Sequence, residues 1–120
     1  MPHRKRLTLE AKECAIECME CADTCIQAIP HFVALEGEHL SRPHISLLNL
    51  CADICRVSSR TLLMGYEFHD HICGACAAIC EACAVECEGL DEEFIQRCAK
   101  ACRRCARSCR HLTGKKKRAA

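Results

Sequence analysis

The spacing of the cysteines constrains the fold of this chain more than any other feature of its sequence. Fifteen of the 120 residues are Cys, and in the longer runs the steps alternate between three and four residues. Such steps place residues on one side of an α-helix, at positions a and d of a heptad. The runs are Cys14, Cys18, Cys21 and Cys25; Cys51 and Cys55; Cys73, Cys76, Cys80, Cys83 and Cys87; and Cys98, Cys102, Cys105 and Cys109. The sequence therefore predicts helices that carry thiols where most bundles carry Leu and Ile.

The remaining residues also favour helices. Ala, Leu, Glu, Arg and Lys are frequent, and no β-branched run alternates with a period of two. We expect helices over residues 9–29, 44–64, 66–88 and 91–113, with breaks at Pro30, Gly37, Pro43, Gly65 and Gly89 and a C-cap at Gly114. Short links make neighbouring helices antiparallel, so the predicted fold class is an all-α, up-down-up-down four-helix bundle with a Cys-lined core.

Length and charge exclude several classes of protein. A chain of this size supports one domain, predicted as a bundle over residues 9–113 between basic tails at 1–8 and 114–120. Seven of the 17 basic residues lie in those tails, so the body carries ten basic and 16 acidic residues, a net charge of −6. An acidic body with few aromatic residues argues against a nucleic-acid partner. No apolar run approaches the ~20 residues of a membrane span.

The cysteine content also bears on the compartment. The N-terminal residues include no apolar stretch of the kind that export signals carry, so the expected location is cytoplasmic, where thiols stay reduced. The odd number of cysteines argues against a complete framework of disulfides. We therefore interpret the thiols as free groups that face the core.

Thiols in this number and register predict metal binding, because smaller or branched apolar residues would fill a core with less risk of oxidation. Zn²⁺ with four thiolates leaves a charge of −2 at each site, which is costly to bury. Iron–sulfur clusters are held by loops, and the C-x2-C-x2-C-x3-C-P run does not occur here. Cu(I) prefers thiolates and accepts two or three of them, and one Cu⁺ per thiolate leaves the channel neutral.

The pattern therefore predicts a non-enzymatic store or buffer that holds multiple Cu(I) ions. An iron–sulfur electron carrier and a structural bundle with zinc thiolates remain the alternatives. A thiol oxidoreductase is disfavoured, because C-x-x-C occurs here without the βαβ context of such enzymes.

The cysteine runs also resemble a known family, the cytosolic copper storage proteins. The resemblance covers residues 10–112 and lies in the C-x3-C-x2-C-x3-C run of the first helix, the Cys51-Ala52-Asp53-Ile54-Cys55 segment, and the runs Cys73 to Cys87 and Cys98 to Cys109. It implies a Cys-lined four-helix bundle that binds many Cu(I) ions and assembles as a homotetramer. The chain departs from the fuller cysteine pattern at Ser58, Leu62 and Ile95, which occupy core positions without a thiol.

Two histidines fall in the same register as the thiols, at opposite ends of the bundle. His69 and His44 are therefore candidate Cu(I) ligands, and the resembling family uses His near its open end. We expect copper to be admitted at the His69 end, because Leu62 and Leu112 form a smaller plug than Leu48, Leu90 and Ile95. The remaining histidines are expected at the surface: His3, His31, His39, His71 and His111.

The helix predicted over residues 44–64 is apolar nearly all round. Ile45, Leu47, Leu50, Ile54, Val57 and Leu63 surround its two cysteines. A helix of this kind is buried on more than one side, so we expect it to lie in a subunit interface.

Overall fold

The computed structural model describes residues 7–36 and 42–119, with side chains described for 7–35 and 44–114. Four helices make up nearly all of this part of the chain: α1 (Leu9–Glu36), α2 (Arg42–Met64), α3 (His69–Glu88) and α4 (Glu93–Ala119). The predicted all-α four-helix bundle is confirmed. None of the described helices combines the length and the apolar character that a membrane span requires.

The helices form a ring in which sequence neighbours are antiparallel. α1 packs against α2 and α4, and α3 packs against the same two helices on the opposite side. The resulting rod measures 53 × 22 × 20 Å. Small side chains flank the thiols and let the helices approach closely. The buried alanines are Ala15, Ala22, Ala28, Ala52, Ala77, Ala84, Ala99, Ala101 and Ala106. The core is therefore a narrow channel that is lined by sulfur atoms, with alanine side chains where the helices pack against each other.

The link between α2 and α3 depends on a glycine. Gly65 has a φ of 71°, in the left-handed region that side chains with a Cβ rarely adopt. Its N–H donates to the Leu62 carbonyl at 3.1 Å, and the Tyr66 N–H donates to the Thr61 carbonyl at 3.3 Å. These two bonds satisfy carbonyls that the end of α2 leaves unpaired. The predicted break at Gly65 thus has a definite geometry.

Five helix ends differ from the sequence prediction. α1 continues through Pro30 to Glu36, α2 begins two residues early at Arg42, and α4 runs from Glu93 through Gly114 to Ala119. Pro30 removes one backbone hydrogen bond, but the continuation of α1 buries Phe32, two residues further on. α3 begins at His69 rather than at residue 66, because residues 65–68 are used for the turn.

The other predicted breaks have simpler outcomes. Pro43 lies in the first turn of α2, where a missing N–H costs nothing. Gly89 caps the end of α3. Gly37 lies outside the described residues, as do residues 1–6 of the predicted N-terminal tail and the side chains of the basic residues after Gly114.

Candidate metal centre

All fifteen cysteines are free thiols that face the axis of the bundle. Each is at most 1% exposed. The remaining buried polar side chains among the described residues are Ser58, Ser59 and Thr61, none of which is charged. The predicted Cys-lined core is confirmed, and the charge within it is set by thiolates and by whatever they bind. We call this space the channel.

The sulfur atoms lie close enough together to share ions. Three groups of four thiols have all their sulfur atoms within 4.8 Å of one another: Cys18, Cys76, Cys105 and Cys109; Cys21, Cys55, Cys80 and Cys105; and Cys21, Cys25, Cys51 and Cys102. Cys105 belongs to the first two groups and Cys21 to the last two. Since each of these sulfurs is common to two groups, neighbouring ions can share a bridging thiolate.

Contacts cross the channel as well as following its walls. The Cys55 and Cys105 sulfurs, on opposite helices, lie 3.8 Å apart, and the Cys21 and Cys80 sulfurs lie 4.0 Å apart. A metal with metal–sulfur bonds of about 2.3 Å can bridge two sulfurs up to roughly 4.6 Å apart. The spacing therefore suits an ion that takes two or three thiolates, and the donor set is the soft one that Cu(I) prefers.

Hydrogen bonds between the thiols shift their pKa values in opposite directions. Bonds with Cys109 and Cys14 lower the pKa of the Cys73 thiol to about 4, against the opposing effect of burial. Bonds with Cys105, Cys109 and Cys14 likewise lower the pKa of Cys18 to about 5. The pKa of Cys109, in turn, is raised by its bonds with Cys105, Cys14 and Cys18. Binding of metal ions releases the protons that the thiols carry.

His69 lies at one end of the channel, four residues before Cys73. Its side chain is 18% exposed, with Nδ1 2.9 Å from the Tyr66 carbonyl and Nε2 3.2 Å from Asp70. The carbonyl and the carboxylate are both acceptors, so each ring nitrogen of His69 faces an acceptor, and Nδ1 donates to the carbonyl. The charge of the ring also contributes to the lowered pKa of Cys73.

His44 lies at the other end and is held differently. Its Nε2 is 2.8 Å from a carboxylate oxygen of Glu86, which ties α2 to α3. The ring packs 5.5 Å from the ring of Phe32. The structure thus places His44 beside a carboxylate and an aromatic ring, and its role as a metal ligand stays a prediction.

The two ends of the channel are plugged unequally. Phe32, Leu48 and Ile95 close the His44 end and are each at most 1% exposed. Leu62 is buried at the His69 end, and Leu112 there is half-buried. Sequence reasoning missed Phe32 because Pro30 predicted a break, although Phe32 follows Ala28 at the same step of four as Cys18 follows Cys14.

Two of the remaining described histidines pair with acidic residues outside the channel. His31 lies at the surface as expected, with 40% of its side chain exposed, where it binds Glu92 and stacks on Phe94 with 4.6 Å between the ring centroids. His111 is exposed and binds Glu10 at 2.9 Å. His71 is exposed, and His3 and His39 lie outside the described residues.

Comparison with known proteins gives consistent matches. The sequence model of the family described as "Csp: Copper storage protein" matches residues 2–114. The chain is 36% identical to the Nmul_A1745 protein of Nitrosospira multiformis, covering 88% of this chain and 95% of that one, with a TM-score of 0.80. It is 34% identical to the Cu(I)-bound copper storage protein BsCsp3, covering 87% and 98%, with a TM-score of 0.80.

A third solved structure, apo copper storage protein 3 from Bacillus subtilis, is 37% identical over 86% of this chain and 95% of that one, with a TM-score of 0.68. No sequence among the curated proteins matches the chain.

Proposed function

Because the chain belongs to the copper storage protein family, we propose that its fifteen cysteines are the ligands of the stored ions and that His69 assists them at one end of the channel. The sulfur groups described above support the cysteines, and the position of His69 four residues before Cys73, at the less closely plugged end, supports His69. His44 is the corresponding candidate at the opposite end, with weaker support because Phe32, Leu48 and Ile95 close the channel there.

The function itself is the storage of copper, in a Cys-lined core that binds several Cu(I) ions. The family is non-enzymatic, and the prediction that this chain is not an enzyme is confirmed. The observation that carries the storage function is the overlap of the four-sulfur groups through Cys21 and Cys105. Isolated structural zinc sites would need no such sharing, and the family assignment decides against an iron–sulfur carrier.

A titration of the reduced apo-protein with Cu(I) under nitrogen, against a chromophoric chelator, tests the ligand set. We expect about one ion per thiol, with the bundle already helical before copper is added, because one Cu⁺ per thiolate keeps the channel neutral. Saturation at two or three ions would contradict storage and indicate discrete structural sites.

Titration of two cysteine variants tests whether the shared sulfurs contribute to the copper capacity. Cys105→Ser removes a sulfur common to two groups, whereas Cys87→Ser removes one that belongs to none of the three. We expect a larger loss of capacity from Cys105→Ser. Equal losses from the two variants would show that bridging through Cys105 does not contribute.

The outer face of α2 supports the predicted homotetramer. Leu50, Val57 and Met64 recur every seven residues on this face and are 50%, 46% and 40% exposed. If two copies of α2 pack antiparallel about a two-fold axis at Val57, Leu50 meets Met64 of the second copy. The same axis brings Asp53 close to Arg60 of the second copy, so opposite charges flank the apolar contact. This face is the proposed interface between copies of the chain.

We also propose that the protein resides in the cytoplasm. The support is the set of fifteen buried free thiols, at distances where oxidation would join neighbouring helices. A reducing compartment keeps such thiols available for metal.

A further inference from the structure

Ser58 interrupts the sulfur lining of the channel on one wall. It follows Cys51 and Cys55 in the core register of α2, at the position where the alternating steps would place another cysteine. The side chain is 0% exposed. Its hydroxyl oxygen lies 3.5 Å from the Cys18 and Cys73 sulfurs and 4.0 Å from the Cys109 sulfur. Ser58 therefore occupies the place of a sulfur among thiols from the three other helices.

The bonding of Ser58 differs from that of the helical threonines. Thr24, Thr61 and Thr113 each donate to the backbone carbonyl four residues earlier, at 2.7 to 2.9 Å. Such back-bonding is the usual way for a helix to satisfy a hydroxyl. The hydrogen bonds of Ser58 run to sulfur instead: it accepts one from Cys18 and can donate one to Cys73 or Cys109. The hydroxyl is thus directed into the channel.

A hydroxyl at this position changes what the channel offers to Cu(I). A serine oxygen stays protonated at physiological pH and is a hard donor, whereas Cu(I) binds soft thiolates. The central group draws one sulfur from each helix, through Cys21, Cys55, Cys80 and Cys105. The group nearest the His69 end, formed by Cys18, Cys76, Cys105 and Cys109, has no sulfur from α2.

The lack of thiols from α2 extends to the His69 end of the channel. The next core residue of α2 after Ser58 is Leu62, so α2 supplies no thiol between Cys55 and its C-terminus. Beyond the central group, ions are left with the thiols of α1, α3 and α4, which there are Cys14, Cys18, Cys73, Cys76 and Cys109. α2 likewise supplies no thiol before Cys51, but the His44 end is closed by Phe32, Leu48 and Ile95.

We propose that Ser58 weakens Cu(I) binding at the His69 end of the channel, so that the ions held beside Cys14, Cys73 and Cys109 leave first. This proposal rests on the proposed function, since it concerns the order in which stored Cu(I) is released. At position 58, α2 carries a hydroxyl in place of a thiolate. Ser58 therefore affects the order in which Cu(I) is released without being a ligand itself.

The test compares release from the full-length, copper-loaded protein with that from two serine variants. Ser58→Cys restores a thiolate to the wall of α2, and we expect it to slow the early phase of Cu(I) transfer to a chromophoric chelator roughly tenfold. Ser59→Cys is the matched control, because Ser59 is equally buried but lines the outer groove between α1 and α2 with Met19 and Leu63. It should release copper as the wild type does.

Alkylation of thiols after partial release gives a readout that does not depend on any variant. Iodoacetamide followed by peptide mass spectrometry should modify Cys14, Cys73 and Cys109 before Cys83, Cys87 and Cys98. Ser58→Ala also lacks the extra thiolate and should keep the early phase, which separates the missing sulfur from the hydroxyl itself.

Three results would overturn the proposal: an unchanged early phase in Ser58→Cys, a lost early phase in Ser58→Ala, or early alkylation at Cys83, Cys87 and Cys98. The proposed function is judged separately, by the capacity of the wild type. A wild type that binds about one ion per thiol yet fails these comparisons would leave storage intact and remove the role of Ser58.

Discussion

At the scale of single residues, the two histidines at the ends of the channel are held by different contacts. His69 is held through Nδ1 by the Tyr66 carbonyl, which orients the ring, and its Nε2 lies 3.2 Å from Asp70. A backbone acceptor in this role is the usual support of a metal-binding histidine. His44 presents its Nε2 to Glu86. The pair therefore offers an internal comparison between the two ends.

Replacement of each histidine by alanine tests which end admits copper. We expect His69→Ala to slow Cu(I) loading of the apo-protein roughly tenfold, because it removes the donor next to Cys73. His44→Ala should load at the wild-type rate, since the channel behind it is closed by Phe32, Leu48 and Ile95. Stopped-flow mixing with a Cu(I)–chelator complex measures both rates. Slower loading in His44→Ala alone would show that copper enters at the His44 end of the channel.

At the scale of the helices, the glycines illustrate how local geometry decides an effect. Gly74 lies inside α3, and a Cβ built there meets no atom within 4 Å. Gly65 has a φ of 71° at the turn after α2. The first position has a helical backbone that favours alanine, and the second has a conformation that an L-side chain resists.

The two alanine substitutions should therefore have opposite effects on the stability of the apo-protein. Gly74→Ala is expected to raise the free energy of unfolding by about 1 kcal/mol, by reducing the entropy of the unfolded chain. Gly65→Ala is expected to lower it by about 1–2 kcal/mol, the strain of a left-handed alanine. Urea denaturation followed by circular dichroism measures both. Changes of the same sign would contradict the geometry of one of the two sites.

The helices also show what the sequence could and could not predict. The alternating steps predicted which face of each helix is buried, because that depends only on the helical period. They did not predict that α1 passes through Pro30, since this depends on packing of Phe32 between helices that are distant in sequence. Likewise the contact between His44 and Glu86 joins residues 42 positions apart, and no local signal anticipates it. The register of a helix can be read from neighbouring residues in the sequence. The packing at the ends of the channel cannot, because it depends on contacts between different helices.

At the scale of the whole molecule, the faces of the rod differ in character. α3 and α4 are joined by two bidentate pairs, Arg103 with Glu88 at 2.8 Å and Arg110 with Glu81 at 2.9 and 3.3 Å. The bond with Arg110 lowers the pKa of the Glu81 carboxyl. Exposed pairs of this kind add little stability but keep a surface hydrated. The outer face of α2 carries the exposed Leu50, Val57 and Met64 instead, which suits association.

A charge placed on that face should disrupt the proposed assembly. Val57→Asp puts two carboxylates opposite each other at the two-fold axis, so we expect a smaller species than the wild type in light scattering after size exclusion. Val85→Asp is the control, because Val85 is also exposed, at 61%, but lies on α3. Copper capacity per chain should be unchanged in both variants, since each channel lies within one chain. A wild-type elution profile for Val57→Asp would exclude this face as the interface.

The continuous line of close sulfur atoms bears on the order in which stored copper ions are exchanged. Sulfur contacts of 3.6 to 3.9 Å lead from Cys14 through Cys109, Cys18, Cys105 and Cys55 to Cys80. An ion can pass along them by exchanging one thiolate at a time. If copper enters and leaves at the His69 end, as proposed, the ions bound last are the first to be released. The ions at the closed end are then exchanged more slowly than those near His69.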